Sequence, residues 1–411
     1  MGSVSRLALG LMLGLGAVSV LGVSPAVAKK KNAAPAGPSL SKEERAALAA
    51  LQAAINSRNY AAAGPALSAA QAAARSKEAR YYTNILQLRL ARESGNLAAE
   101  AAAIDALLAS GSVPQAEIGN YYAAQGTLAL RNGNRERAEA SLTRAVELAP
   151  STDTLLTLAQ MKIDTRRSGQ ALPLVERAIE LRRASGQPVP ESWYRRALSL
   201  ATQNAAGPQA LRLNREWIAA YPSATNWRDA LLVYRDYAQP DPAALVDTFR
   251  LMRLSHALAG ERDYMEAAQA FTGAKLPGES RSVFEEGVSG RVVDPAKGTF
   301  KEAIAASTRA ATAARGKLAA LRTAATGAAT GGPALDAGDQ FLSFGDYAAA
   351  VDLYQAALQK GGADASAVNT RLGIALALAG RRAEAETAFR AVSGPRAELA
   401  QLWLVWLGQR A

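Results

Sequence analysis

Residues 119–152 read GNYYAAQGTLALRNGNRERAEASLTRAVELAPST, the clearest structural pattern in the chain. Apolar and small residues recur there every three or four positions, first around Gly126 and again around Ala138. That spacing predicts two helices, each with one buried face. Residues 132–134, Asn-Gly-Asn, predict the turn between them, and Pro150 predicts the end of the second helix. Gly126 and Ala138 are expected where the two helices cross, because larger side chains would push the backbones apart.

The same pattern recurs along the chain with a period of about 34 residues. A helix–turn–helix unit of this length, with small residues at the crossing, resembles the tetratricopeptide repeat (TPR). The resemblance implies an all-α solenoid of stacked helix pairs, a superhelix, that mediates protein–protein interaction. Further units are predicted at 44–77, 79–112, 152–185, 191–224, 248–278, 331–364 and 366–399.

Four prolines depart from the regular pattern. Pro240 and Pro242 are expected to interrupt a partial unit that begins at Trp227. Pro65 and Pro173 follow the alanines at predicted helix crossings. Proline lacks the backbone N–H, so these two are tolerable only if they fall in the first turn of their helices.

The composition excludes several kinds of site. The 411 residues include no cysteine and one histidine. Disulfides, thiolate metal sites and cysteine nucleophiles are therefore absent. The 47 Lys and Arg residues exceed the 36 Asp and Glu residues and give a formal charge of +11. Such a charge favours anionic partners, but the longest basic run is Lys29–Lys31. We therefore interpret the excess as a solubility surplus and expect no nucleic-acid partner.

An export signal is predicted at the amino terminus. An uncharged apolar run at 7–23 follows Arg6, and Ala26-Val27-Ala28 fits a signal-peptidase site. We expect cleavage after Ala28 and a periplasmic protein. The alternative is an uncleaved signal that anchors the chain in the inner membrane, since about 17 residues is the short limit for a span. No later stretch is long and apolar enough, so no stable membrane span is expected after cleavage.

The expected layout is two repeat arms joined by an irregular helical middle. Ser41 to Glu44 has the spacing of a capping box and predicts the start of the first helix. In the irregular middle, an alanine-rich stretch predicts one long helix from about Thr299 to Thr323. The predicted domains are a signal peptide (1–28), a flexible leader (29–41), a TPR-like array (42–278), an irregular helical segment with linker (279–330) and carboxy-terminal TPR-like repeats with a capping helix (331–411).

Motifs for catalysis are scarce. The sequence has no Gly-rich phosphate loop and no nucleophile elbow. Glu285 and Glu286 could supply carboxylates for a cell-wall hydrolase, but adjacent residues on a helix face different ways, which favours a solvated face. His256 is predicted on the first helix of the 248–278 unit, where packing or surface exposure is the expected role. We expect no catalytic residue, no metal and no cofactor.

The first helix of each unit is expected to line a binding groove, because first helices form the inner wall of such a superhelix. Residues between the buried positions then face the groove, and they are polar. Such a wall suits a peptide, a carboxylate or an acidic glycan, and the alternative is an ordinary solvated helix face. The predicted groove residues are Arg80, Asn84, Gln87, Asn120, Gln160, Arg195, Ser199, Arg228, Asp229 and Arg235.

The last helix is predicted to cap the solenoid. Leu399, Leu402, Trp403 and Trp406 form one apolar stripe at helical spacing. Three further residues widen the apolar face and suggest a docking patch for a partner or a second copy: Leu404, Val405 and Leu407. The alternative is a final helix that is buried on most sides.

These observations predict an exported, non-catalytic TPR-like scaffold that binds a protein or peptide partner in the cell envelope. Its role there would be that of an adaptor for assembly, secretion or polysaccharide export. A peptidoglycan- or acidic-polysaccharide-binding module is the alternative, and a carboxylate-based cell-wall hydrolase is a weaker one. A homo-oligomer formed through the carboxy-terminal helix is a further expectation.

Overall fold

The computed structural model of the protein describes residues 40–410. All regular secondary structure in this range is helical, which confirms the predicted all-α fold class. The chain divides into two compact units, with the boundary between Gln187 and Pro188. The predicted signal peptide (1–28) and almost all of the predicted leader (29–41) lie outside the described residues.

The described residues of unit 1 form four helical hairpins. In each hairpin the first helix packs on the second, and the second helix of each of the first three hairpins packs on the first helix of the next hairpin. The helices are α1 (Lys42–Asn56), α2 (Tyr60–Ala73), α3 (Lys77–Glu93), α4 (Leu97–Ala109), α5 (Gln115–Arg131), α6 (Arg135–Leu148), α7 (Thr152–Asp164) and α8 (Ser168–Ala184).

The capping box predicted at the first helix is present. Ser41 Oγ accepts from the Glu44 N–H, and the Glu44 carboxylate accepts from the Ser41 N–H at 2.8 Å. The other Glu44 oxygen accepts from the backbone N–H groups of Arg75 and Ser76, at 3.0 and 2.7 Å. These N–H groups lower the pKa of Glu44 to about 2, and the hydrogen bond from the Ser76 N–H has the largest effect. One buried carboxylate therefore joins the start of α1 to the start of α3.

A common turn joins the two helices of each hairpin. Its central residue has a left-handed backbone, as at Gly95 (φ 69°) and Gly133 (φ 76°). In three of the four hairpins of unit 1 the side chain of the next residue caps the second helix, as where Asn96 Oδ1 accepts from the Ala99 N–H and Asn134 Oδ1 accepts from the Arg137 N–H. Local chemistry thus reverses the chain at the same point of successive units.

Close helix crossings depend on glycine in three hairpins. A Cβ on Gly126 would lie 2.6 Å from Leu142 Cγ, nearer than non-bonded carbons approach. The same clash would arise between Gly338 and Tyr354 and between Gly373 and Phe389. In each case the partner lies 16 residues after the glycine, at the equivalent point of the second helix. This confirms the crossing predicted at Gly126.

Replacing Gly126 with leucine is expected to lower the free energy of unfolding by about 1–3 kcal/mol, because the added side chain overpacks the crossing. Gly64→Ala is the matched control, since Gly64 lies inside α2 with no atom within 4 Å of its hypothetical Cβ. Urea unfolding followed by helical circular dichroism measures both. A Gly126→Leu protein as stable as the control would contradict the close crossing.

Two helices carry an internal proline. Pro65 is the sixth residue of α2 and Pro173 the sixth of α8, so both lie in the second turn. The expectation that they fall in the first turn was wrong. Each helix continues without one backbone hydrogen bond.

Unit 2 begins with three further hairpins, continues with an inserted helix pair and ends with two hairpins and a final helix. The helices are α9 (Glu191–Gln203), α10 (Gly207–Ala220), α11 (Ala224–Ala238), α12 (Pro242–Leu254), α13 (Glu261–Gly273), α14 (Pro277–Ser289), α15 (Gly298–Arg315), α16 (Leu318–Gly327), α17 (Gly332–Ser343), α18 (Tyr347–Lys360), α19 (Ala365–Leu378), α20 (Arg382–Arg390) and α21 (Ala397–Gly408), with a 3-10 turn at Gly394–Arg396 before α21.

The hairpin of α11 and α12 corrects the predicted interruption at Pro240 and Pro242. Pro242 is the first residue of α12, where a missing N–H and a fixed φ are compatible with a helix. The unit is therefore complete, and the following hairpin consists of α13 and α14. His256 consequently lies after the end of α12, exposed and with φ 57°, and not on a first helix as predicted.

The irregular part of unit 2 is limited to α15 and α16. α14 forms a hairpin with α13, so the repeat pattern continues past residue 278. The single helix expected from about Thr299 to Thr323 is two helices, because the chain turns at Gly316 and Lys317. α14 also contacts α17 directly, where the Glu279 N–H donates to Ser343 Oγ at 2.9 Å. The α15–α16 pair is therefore an insertion between hairpins that touch.

The carboxy-terminal hairpins fold back onto the earlier helices of unit 2. α21 packs on α10 and α12, and α19 also packs on α12. Trp406 Nε1 donates to the Leu254 carbonyl at 3.2 Å, and Gln409 Nε2 donates to the Ile218 carbonyl at 2.8 Å. α12 and α19 are consequently buried on most of their surface.

Candidate functional site

The structure places five of the predicted groove residues at the surface of first helices. They carry the polar chemistry expected of a binding face, and one of them, Gln160, also donates to Asp164 at 2.6 Å within its own helix. The exposed residues are Arg80, Asn120, Gln160, Arg195 and Ser199.

Two predicted groove residues on α3 are half-buried. Asn84 and Gln87 lie one helical turn apart. The Gln87 side chain accepts a hydrogen bond from Gln71 of α2 at 3.2 Å. Gln87 therefore contributes to the packing between adjacent hairpins of unit 1.

The predicted groove arginines of α11 are engaged in ion pairs. Arg228 donates through Nε and Nη2 to both carboxylate oxygens of Asp263, each at 3.1 Å. Arg235 pairs with Glu266, and its guanidinium lies 5.3 Å from the ring centroid of Phe249. Both acids are on α13, so these arginines join two successive first helices. Asp229, between them in sequence, is half-buried.

The ion pairs of Arg228 and Arg235 were not predicted from the sequence, although the spacing of their partners indicates them. Their partners lie 35 and 31 residues later, close to one repeat length. Arg253 and Glu286 show the same relation, 33 residues apart, with Arg253 Nε 3.0 Å from Glu286 Oε2. Opposite charges about one repeat apart in the sequence therefore predict contacts between neighbouring hairpins.

The predicted docking patch on α21 is only partly exposed. Leu407 is 4% exposed and belongs to the core, which corrects its assignment to a surface patch. Leu404 and Val405 are half-buried. The predicted capping stripe is buried as expected, and Trp403, fully buried, stacks on Phe389 with ring centroids 5.8 Å apart.

A buried ion network surrounds Asp247 of α12, which has no exposed surface. Its carboxylate accepts from Arg250 at 2.6 Å and from Arg396 at 3.3 Å. The Arg371 guanidinium lies 3.6 Å away. Arg250 also donates two hydrogen bonds of 2.7 Å to Glu279. One carboxylate therefore faces three guanidinium groups that come from separate parts of unit 2.

The network reaches the carboxy-terminal hairpins through Asp339 of α17. Arg371 of α19 donates to Asp339 at 2.5 Å, and the Tyr354 hydroxyl of α18 donates to its other oxygen at 2.7 Å. Burial raises the pKa of Asp339, while Arg371 and Arg250 oppose that shift. Arg396, just before α21, donates to Asp241 at 3.1 and 3.2 Å. These contacts tie the last hairpins to α12.

A cavity of about 610 Å³ lies beside this network in unit 2. It was not predicted, because its walls come from α12, α14 and the helices after α16, which are far apart in sequence. Part of its wall is apolar, with side chains such as Leu254, Leu342 and Phe344. The charged residues of the lining are Arg250, Arg253, Arg281, Arg410, Glu279 and Glu286.

The two glutamates considered for hydrolysis face different arginines. Glu286 pairs with Arg253 and lines the cavity. The Glu285 side chain is 62% exposed and lies 3.2 Å from Arg281. The two carboxylates therefore do not converge on one point. This was predicted from the sequence, because adjacent residues on a helix face different ways.

Among residues 40–410, no group of three or more His, Asp or Glu side chains is placed to hold a metal ion. None of the helices that the structure describes has the length and apolar character needed to cross a membrane.

The hairpins, their shared turn and their glycine crossings define a repeat protein of the all-α, TPR-like class. No protein-family model matches the chain, and no curated protein is similar to it in sequence.

Many solved structures are similar to this chain, and three of them have TM-scores of 0.23 to 0.25. A tetratricopeptide repeat protein from Parabacteroides merdae is 14% identical, with a TM-score of 0.25, and the match covers 71% of this chain and 99% of that one. The TPR2AB-domain–pHSP90 complex of yeast Sti1 is 10% identical, with a TM-score of 0.23 and coverage of 72% and 95%. The APC/C hetero-tetramer Cut9–Hcn1 is 13% identical, with a TM-score of 0.25 and coverage of 80% and 69%. At these scores the fold assignment rests on the hairpins themselves.

Proposed function

We propose that the protein is an exported scaffold that binds a protein partner in the cell envelope through the exposed polar residues of its first helices. The observation that carries this proposal is that exposed polar residues recur on several first helices, with Arg80 on α3, Asn120 on α5, and Arg195 and Ser199 on α9. Within each unit, stacked hairpins present their first helices side by side, which makes a binding surface in that unit. Arginine and amide side chains suit peptide carbonyl and carboxylate groups.

The set of partner-binding residues that we propose is smaller than the set predicted from the sequence. Arg228 and Arg235 are paired with acids of α13, so their removal would disturb the fold as well as any partner. The proposed partner-binding residues are therefore the exposed set: Arg80, Asn120, Gln160, Arg195 and Ser199.

Replacing Arg80, Asn120, Arg195 and Ser199 together with alanine is expected to reduce partner capture from intact cells by about tenfold or more, because interface energy concentrates in a few residues. The control is Arg144→Ala with Arg390→Ala, since both side chains are exposed, at 53% and 70%, on second helices. Both proteins should keep wild-type helical circular dichroism. Equal capture by the two variants would refute the proposed surface.

Export is tested separately from binding. The apolar run at 7–23 and the site at Ala26–Ala28 predict a mature chain that begins at Lys29. Amino-terminal sequencing of the protein from a periplasmic fraction measures this directly. Recovery of the full-length chain in the inner membrane would show instead that the signal is an anchor.

A further inference from the structure

The cavity of unit 2 has two arginines that its own glutamates do not neutralise. Of the four arginines in its lining, Arg250 is held by two hydrogen bonds of 2.7 Å to Glu279. Arg253 is held by Glu286 at 3.0 Å. Both glutamates also line the cavity, so the opposite charges of these two ion pairs cancel there. Arg281 and Arg410 have no carboxylate partner among the lining residues.

Neither of these arginines is fully satisfied within the described chain. Arg281 Nε is buried and has no hydrogen-bond partner among residues 40–410, although Glu285 lies 3.2 Å away in a poorly directed contact. The Arg410 guanidinium lies over the Trp406 ring, 4.7 Å from the ring centroid, and has no ion pair with a carboxylate of residues 40–410. Guanidinium groups in this state favour an anion, above all a planar carboxylate that accepts two hydrogen bonds.

The apolar residues of the cavity wall favour a ligand with an apolar part. Leu254, Leu342, Phe344, Ile374 and Leu378 all line the cavity. Its volume of about 610 Å³ lies within the range of small-molecule sites, about 300–1,000 Å³. Leu254, Phe344 and Leu378 are half-buried, and a bare inorganic anion would leave their exposed parts against water.

We propose that this cavity binds a small organic anion made of one carboxylate and an aliphatic chain. Arg281 and Arg410 hold the carboxylate, and the apolar side chains of α12, α17 and α19 cover the aliphatic part. None of the proposed partner-binding residues lines this cavity, and the site does not depend on their function.

Octanoate is a suitable probe, and its binding to the full-length protein is measured by isothermal titration calorimetry. Octanamide, which has the same shape without the charge, is expected to bind at least tenfold more weakly, because charge-assisted hydrogen bonds are lost. Inorganic phosphate is also expected to bind at least tenfold more weakly, because it buries no apolar surface. Absence of octanoate binding, or equal binding of octanoate and octanamide, would overturn the proposal.

Arg281→Gln and Arg410→Gln are each expected to weaken octanoate binding by about tenfold to a hundredfold. Arg390→Gln is the control, because Arg390 is a 70% exposed arginine of the same unit that does not line the cavity. Arg410 is exposed and follows the last helix, so its replacement tests the site even if Arg281→Gln impairs folding. If octanoate binds equally well to the Arg410→Gln and Arg390→Gln proteins, Arg410 does not hold the carboxylate and the proposed site is wrong.

Discussion

Replacing Asp247 with alanine is expected to lower the free energy of unfolding of unit 2 by about 3–5 kcal/mol. Asp247 has no exposed surface and faces Arg250, Arg371 and Arg396. Removal of one partner from a buried ion network leaves uncompensated charge in a region of low dielectric. The loss should be larger than for any exposed ion pair, whose contribution is about 0–1 kcal/mol.

Tryptophan fluorescence during urea unfolding measures this loss in unit 2 alone. All five tryptophans lie after residue 187, at Trp193, Trp217, Trp227, Trp403 and Trp406. Asp352→Ala is the control, because the Asp352 side chain is 65% exposed and lies 3.5 Å from Arg322. An Asp247→Ala protein that unfolds at the same urea concentration as the control would show that the network does not hold α12 to the last hairpins.

The second large effect is expected at Leu407, and it separates the two interpretations of the carboxy-terminal helix. Leu407→Glu removes a buried side chain, which by itself costs about 2–5 kcal/mol for truncation of a leucine. It also places a carboxylate in an apolar environment, which adds a desolvation penalty. Leu407 is 4% exposed, so neither cost can be relieved without displacing α21.

Leu404→Glu is the matched variant on the same helix. Leu404 is half-buried, and its replacement is expected to cost much less than that of Leu407. Tryptophan fluorescence is a direct probe, because Trp403 and Trp406 flank this position. Equal destabilisation by the two variants would mean that α21 is buried all round. If Leu404→Glu keeps its stability but changes the sedimentation coefficient of the protein, Leu404 belongs to an association surface.

The local features of the hairpins could be predicted from the sequence because their causes are local. Asn-Gly-Asn at 132–134 contains a residue that accepts a left-handed backbone and one that caps the next helix. Gly126 was identified as a crossing from its helical phase, and the structure confirms the crossing. Ser41 and Glu44 form the predicted capping box. All of these depend on residues a few positions apart or on one hairpin.

The phase of the repeat was harder to predict where proline occurs near helix ends. Pro242 was interpreted as an interruption, yet it begins α12. Proline is equally compatible with a break and with the first turn of a helix. Because of this error the next unit was predicted to begin too early, at residue 248, and His256 was predicted on its first helix. In the structure His256 lies in the turn after Leu254.

The sequence by itself determined the all-α hairpin architecture, since periodicity, caps and turn residues act within about one repeat. Tertiary structure alone decided which charged and apolar residues are available at the surface. Arg228 and Arg235 were predicted to be exposed like Arg195, but α13 brings acids to these two arginines and leaves them half-buried, whereas Arg195 is exposed. Leu407 is covered and Asp247 is buried because the last hairpins fold back on α10 and α12, and contacts between segments more than 100 residues apart leave no periodic trace in the sequence.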